Sequence, residues 1–271
     1  MLVRPWLSLA VMLAAPCAIG WPELAAGAPA HGGSARMASV PTLMLWAWEQ
    51  PQDLRGIDPE RAGVAYLART LTLTGDRVAV RPRLQPLLVP PGTRLVAVAR
   101  IECDRLAPPA LDPAQRRRVV AELAALARRR GVLGVQVDFD AARSQRGFYR
   151  ELLRELRQAL PDSTALSMTA LGSWCVGDRW LDGLPVDEVV PMLFRMGADA
   201  HRVREAFAAS GHACANCGGS VGIATDEPLP AIAGARRLYV FNAGSWTPSA
   251  LHWALAHAPE PALGARTGAG R

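Results

Sequence analysis

The 271-residue sequence contains no lysine, so all 30 of its basic residues are arginine. That absence excludes Schiff-base chemistry and any phosphate loop that depends on a lysine. Aromatic residues make up only 6% of the chain, but eight of them are tryptophan against three tyrosines and five phenylalanines, so ring surface is concentrated in indoles. Histidine is scarce, with only His31, His201, His212, His252 and His257, and none falls at a predicted strand end. Cys214-Ala215-Asn216-Cys217 has no second pair at zinc spacing, and Gly218 stands where a haem attachment needs histidine, so neither metal nor cofactor is expected. The net charge of +6 comes from dispersed arginines. Only Arg116-Arg117-Arg118 and Arg128-Arg129-Arg130 form runs, both on one predicted helix whose solvent face they decorate, and no nucleic-acid motif accompanies them.

Long apolar runs are missing too. Leu7 to Ala15 is too short to span a bilayer, but with Arg4 before it and small residues after it, residues 1–30 read as an export signal. Ala18-Ile19-Gly20 and Ala28-Pro29-Ala30 are the candidate cleavage sites, and Pro16 disfavours lipid anchoring at Cys17. The expected location is periplasmic or secreted, with no stable membrane span in the mature chain. Export implies an oxidising compartment, where Cys103, Cys175, Cys214 and Cys217 are expected in disulfides; three pairings are open. Nothing in the pattern specifies an oligomeric state.

Residues 41–258 read as one domain, followed by a Gly-, Ala- and Arg-rich tail at 259–271 expected to be disordered. Strands are predicted over Leu43–Trp48, Val64–Thr70, Leu95–Ile101, Leu133–Asp140, Ala165–Leu171, Glu188–Phe194, Ser220–Thr225 and Arg237–Phe241. Helices are predicted over Pro113–Arg130, Gln145–Leu160, Ala198–Ser210 and Thr247–His257. Alternation of the two favours a parallel sheet with crossover helices, and eight strands in this length favour closure into a (β/α)8 barrel of TIM type. The barrel is expected to be irregular. Alternating residues on both sides of Gly75-Asp76 predict a hairpin excursion after the second strand, and Pro82, Pro86, Pro90 and Pro91 forbid a helix there.

In such a barrel the chemistry collects at the C-terminal strand ends. Gly134-Val135-Gln136-Val137-Asp138-Phe139-Asp140 alternates so that Gln136, Asp138 and Asp140 share one face and lead toward that end. Paired carboxylates suit general acid/base work. The other strand ends bring Trp46, Trp48, Glu49, Glu102, Trp174, Phe194, Arg195, Asp226, Glu227 and Trp246. Indoles pack on the C–H faces of sugars and carboxylates accept from their hydroxyls, so an acidic, aromatic-walled cup suits a carbohydrate. The catalytic candidates are Asp140 as acid/base, Asp138 as its support, and Glu102 or Asp226 as the second carboxylate. Trp46, Trp48, Glu49, Gln136, Trp174, Phe194, Arg195, Glu227 and Trp246 are the substrate-binding candidates. The same cup could bind glycan without cleaving it, and Arg195 could serve only to neutralise Asp138 or Asp140.

The run from Gly134 to Asp140 resembles the fourth-strand motif of chitinase-like glycoside hydrolases, Val189-Val190-Pro191-Met192-Leu193-Phe194 is similar to their sixth strand, and Trp246 to their eighth-strand tryptophan. The resemblance implies that Asp140 matches the proton donor, Asp138 its supporting aspartate and Gln136 the first aspartate. Three departures stand out: Asp140 is one methylene shorter than the family's glutamate, Gln136 cannot ionise, and Phe194 lacks a hydroxyl. Arg100-Ile101-Glu102-Cys103, Gln136 to Ala141, Ser144-Gln145-Arg146, Ala170 to Cys175, Leu184 to Gly197 and Thr225-Asp226-Glu227-Pro228 further resemble a bacterial family known as domain of unknown function 3142. That likeness implies an exported barrel related to glycoside hydrolases and assigns no activity.

Overall fold

A computed structural model describes residues 35–210, 219–231 and 234–259. The segment read as an export signal, Cys214, Cys217 and the tail from residue 260 lie outside the described residues. In chain order the elements are β1 (Leu43–Ala47), β2 (Gln52–Asp53), β3 (Ala62–Thr74), β4 (Arg77–Pro82), β5 (Leu87–Leu88), β6 (Leu95–Cys103), α1 (Pro113–Ala124), β7 (Val132–Asp138), α2 (Arg146–Ala159), β8 (Ala165–Leu171), β9 (Glu188–Met192), α3 (Ala200–Ser210), β10 (Ser220–Ala224), β11 (Arg237–Phe241) and α4 (Pro248–Ala256). Strands β1, β3, β6, β7, β8, β9, β10 and β11 pair in parallel in that order, and β11 pairs with β1 to close the barrel.

The irregularity falls where the turn chemistry places it. Thr74 pairs with Arg77 around Gly75, whose φ of 52° suits a residue without Cβ, so β4 folds back antiparallel on β3 in place of a crossover helix. Helix starts follow their caps. Asp112 accepts from the Gln115 N–H ahead of Pro113, and Thr247 from the Ala250 N–H ahead of Pro248. On α2, Phe148, Tyr149, Leu152, Leu153 and Leu156 form the buried stripe that seats the helix on the barrel wall; each such side chain contributes about 1.5–3 kcal/mol when fully buried.

Cys103, at the end of β6, is not joined to Cys175, after β8. This removes one of the three expected pairings.

The lower half of the barrel interior holds a buried, hydrogen-bonded polar column. Glu188, 3% exposed, accepts from Ser167 Oγ (3.0 Å) and Tyr239 OH (2.7 Å) on one carboxylate oxygen, and from Ser220 Oγ (2.6 Å) and Arg237 Nη1 (2.6 Å) on the other. Ser167 in turn accepts from Gln136 Nε2 at 3.1 Å, and Gln136 Oε1 accepts from Trp46 Nε1 at 2.8 Å. The carboxylate can only accept, so it turns the serine proton downward, and the serine lone pair then takes the amide's N–H. The glutamine oxygen is thereby left to face the indole. Above this column the Trp46 ring fits because Gly222 has no side chain: a Cβ there would lie 2.7 Å from Trp46 Cη2. Gly222→Ala is expected to displace the indole and cost about 1–3 kcal/mol, as overpacked cores do. Urea unfolding with tryptophan fluorescence checks both effects, and unchanged stability would show that the ring is free to shift.

Candidate active site

The C-terminal strand ends surround a cavity of about 570 Å³. Trp46 and Trp48 come from β1, Arg100 from β6, Asp138 and Asp140 from the end of β7, Thr169 from β8, Phe194 and Arg195 from the turn after β9, and Phe241 from β11. The rings are in mutual contact. Phe194 and Phe241 stack at 5.5 Å and 8°, Trp48 meets Phe241 edge-on at 6.0 Å, and Trp46 lies 6.1 Å from Phe194. Leu171, Met192, Met196 and Val203 extend the apolar lining, and Asp199, beside the start of α3, adds a third carboxylate.

Asp138 ends β7 pointing into the barrel and is buried, whereas Asp140, two residues on, is exposed at the mouth. Burial, and then the charge of Asp140, push the Asp138 pKa up to about 6, against the opposing pull of the Thr169 hydroxyl and Arg100. Thr169 Oγ1 donates to Asp138 Oδ1 at 2.7 Å. The pKa of Asp140 is also raised, by partial burial at the mouth, with Arg100 opposing. Arg100 stands in register with Asp138 on the adjacent strand, which explains why its charge reaches both carboxyls. Two neighbouring acids, one of them buried, therefore hold a proton between them up to about pH 6.

Residues 91–190 match the domain of unknown function DUF3142. The DUF3142 region runs through β6, β7 and β8 and so carries Arg100, Asp138, Asp140 and Thr169. A solved structure shares the barrel: chitinase A from Streptomyces coelicolor aligns with a TM-score of 0.54 at 11% identity, covering 80% of this chain and 97% of that one. The Bacillus cereus spore cortex-lytic enzyme SleL aligns at TM-score 0.47 and 17% identity over 69% of this chain and 51% of its own. The chitinase domain of the Clostridium difficile spore coat protein CotE gives 0.36 and 12%, over 59% and 52%. This chain thus spans about half the length of SleL and of the CotE chain. At 11% identity the likeness to the Streptomyces coelicolor structure is one of fold. No curated protein is similar in sequence.

Of the residues expected at the mouth, Trp46, Trp48, Asp138, Asp140, Phe194 and Arg195 line the cavity, two of them within the DUF3142 region. The others lie elsewhere. Gln136 is fully buried in the column beneath Trp46. Trp174, inside the DUF3142 region, is buried outside the barrel wall, edge-on to Trp180 at 4.8 Å and beneath Arg146. Trp246 is buried behind the floor, its Nε1 donating to the Trp46 carbonyl at 3.0 Å. Glu49 pairs with Arg81, Glu102 with Arg100 Nε at 2.9 Å, Asp226 with Arg195 Nη2 at 3.0 Å, and Glu227 accepts the Arg195 backbone N–H at 2.8 Å. Arg100, not Arg195, is the cation that acts on the Asp138 and Asp140 pair.

Arg100, Thr169, Asp199 and Phe241 were not among the expected site residues. Arg100 was readable, since it lies two residues before Glu102 on one strand and must share its face. Phe241 ends β11 and lines the cavity, whereas Trp246 lies past the end of that strand.

The raised Asp138 pKa has a stability consequence. Below about pH 4 the carboxyl is protonated in folded and unfolded chains alike and burial is tolerated; the contribution is lost as pH rises through about 6. Asp138→Asn keeps the acceptor for Thr169 and removes the ionisation. It is expected to raise stability at pH 7 by on the order of 3 kcal/mol, with the gain vanishing below about pH 4. Thermal unfolding of both proteins at pH 4, 6 and 8 measures this, and an equal or lower melting temperature at pH 8 would show the charge to be well solvated.

Proposed function

We propose that this protein is an exported glycoside hydrolase that acts on a polysaccharide or cell-wall glycan. The observation that carries the reading is the Asp138 and Asp140 pair, one buried and one exposed, on the wall of an aromatic-lined cavity. Asp140 reaches solvent and is the member able to meet a glycosidic oxygen, to which it delivers the proton the pair retains. Asp138, held by Thr169, itself keeps a proton up to about pH 6 through its burial and the charge of Asp140, and so stands neutral beside the donor. Trp48, Phe194 and Phe241 offer faces for the sugar rings, with the buried Trp46 ring beneath them. For the second carboxylate, Glu102 is the candidate whose charge reaches Asp138; it pairs with Arg100, as Asp226 does with Arg195. Among the described residues no helix is long and apolar enough to cross a membrane.

The test is release of new reducing ends from a panel of bacterial polysaccharides and peptidoglycan. Release is expected, falling above about pH 6 as the pair loses its proton. A second reading, a barrel that binds glycan without cleaving it, draws support from the arginine pairing of both Glu102 and Asp226 and from the absence of a hydroxyl at Phe194. Saturable binding to a glycan that is never cleaved would select it.

A further inference from the structure

We propose that Arg195 recognises a carboxylate on the sugar, so that the cavity takes an acidic glycan; the inference rests on reading the cavity as a carbohydrate site. Arg195 is held from several sides at once. Its φ of 50° lies in the left-handed region that a residue with a Cβ adopts only at a cost in energy. Glu227 Oε1 accepts its backbone N–H at 2.8 Å, Asp226 Oδ2 accepts its Nη2 at 3.0 Å, and its guanidinium lies over the Phe241 ring at 5.1 Å. An arginine serving only solubility would swing free on an unstrained backbone.

The remaining N–H groups have work left to do. Among the described residues no hydrogen bond engages Arg195 Nε or Nη1, and the residue lines the cavity. Paired N–H donors in a fixed plane match the two oxygens of a carboxylate. The charge is not spent on the acid pair, because Arg100 fills that role, and Arg195 stands two strands further round the barrel. Nor are its neighbouring acids unpaired: Asp226 is held by Arg195 itself, and Glu227 also faces Arg204 at 3.7 Å. The stacked Phe194 and Phe241 rings beside it give a surface for a pyranose face, which would set a ring carboxylate within reach of the guanidinium.

Two common glycans carry this group, as a uronic acid or as a lactyl ether substituent. The test titrates the full chain with an oligogalacturonide and with a peptide-free muramic-acid oligosaccharide, each beside its carboxyl-reduced counterpart. At least one acid form is expected to bind about tenfold or more tighter than its reduced form, with the preference weakening as salt rises. Arg195→Gln should collapse that preference, the loss falling on binding of the acid form. Arg195→Gly, which suits the left-handed backbone, should do the same without loss of thermal stability. Equal binding of acid and neutral forms, or a preference that survives Arg195→Gly, overturns the inference. Cleavage of a neutral glycan with no acid preference would remove this inference alone, whereas acid preference without any cleavage would remove the hydrolase reading alone.

Discussion

Asp140→Asn is expected to lower reducing-end release by about 10²–10⁴-fold, the range a positioned general acid supplies. The substitution preserves size and polarity and removes only the transferable proton. Among the described residues no hydrogen bond or ion pair anchors Asp140, and the residue is solvent-exposed, so the fold does not depend on it. Binding of an intact glycan should therefore stay within about twofold, and the loss should appear in kcat. Asp140→Glu restores the methylene by which this chain differs from chitinase-like donors and should retain cleavage. Activity of Asp140→Asn within about tenfold of the native protein would move the proton donor elsewhere in the cavity. Asp199 would be the next residue to test, since it is the other exposed carboxylate on the lining.

Much of this arrangement was legible before the structure. Period-two alternation put Asp138 on the inner face of its strand, and the turn signal at Gly75-Asp76 located the hairpin that displaces a helix. Both are local patterns, which sequence carries well. Other features depended on distant partners. Gln136 has the right parity for the mouth but sits one layer lower, where Ser167 and Trp46 claim both ends of its amide. Trp174 and Trp246 follow strand ends, yet the chain turns outward after β8 and β11 and buries them behind the wall. The arginine partners of Glu102 and Asp226 could not be separated from the many other arginines without coordinates. A lysine-free sequence makes every such acid look equally available.

The largest stability effect is expected at the other end of the barrel. Glu188 and Arg237 form an ion pair at 2.6 Å, with side chains 3% and 16% exposed. Arg237 also donates to the carbonyls of Pro41, Met37 and Val40, tying the chain before β1 to the barrel floor. Removing either charge strands the other in a medium that solvates it poorly, so Glu188→Gln and Arg237→Met should each cost about 3–5 kcal/mol in urea unfolding. The double variant should cost clearly less than the sum, since neither charge is then left alone. Glu188→Gln should also reach the cavity. An amide at 188 can donate to Ser167, which releases the constraint that turns the Gln136 oxygen toward Trp46. The indole then loses a fixed acceptor, and its fluorescence and the affinity for glycan should both change, whereas Arg237→Met leaves the column's polarity intact and should alter stability alone. Additive single effects would mean that water reaches the pair, and an unchanged Trp46 signal in Glu188→Gln would mean that packing against Tyr239 and Gly222, rather than the hydrogen-bonded column, sets the floor of the cavity.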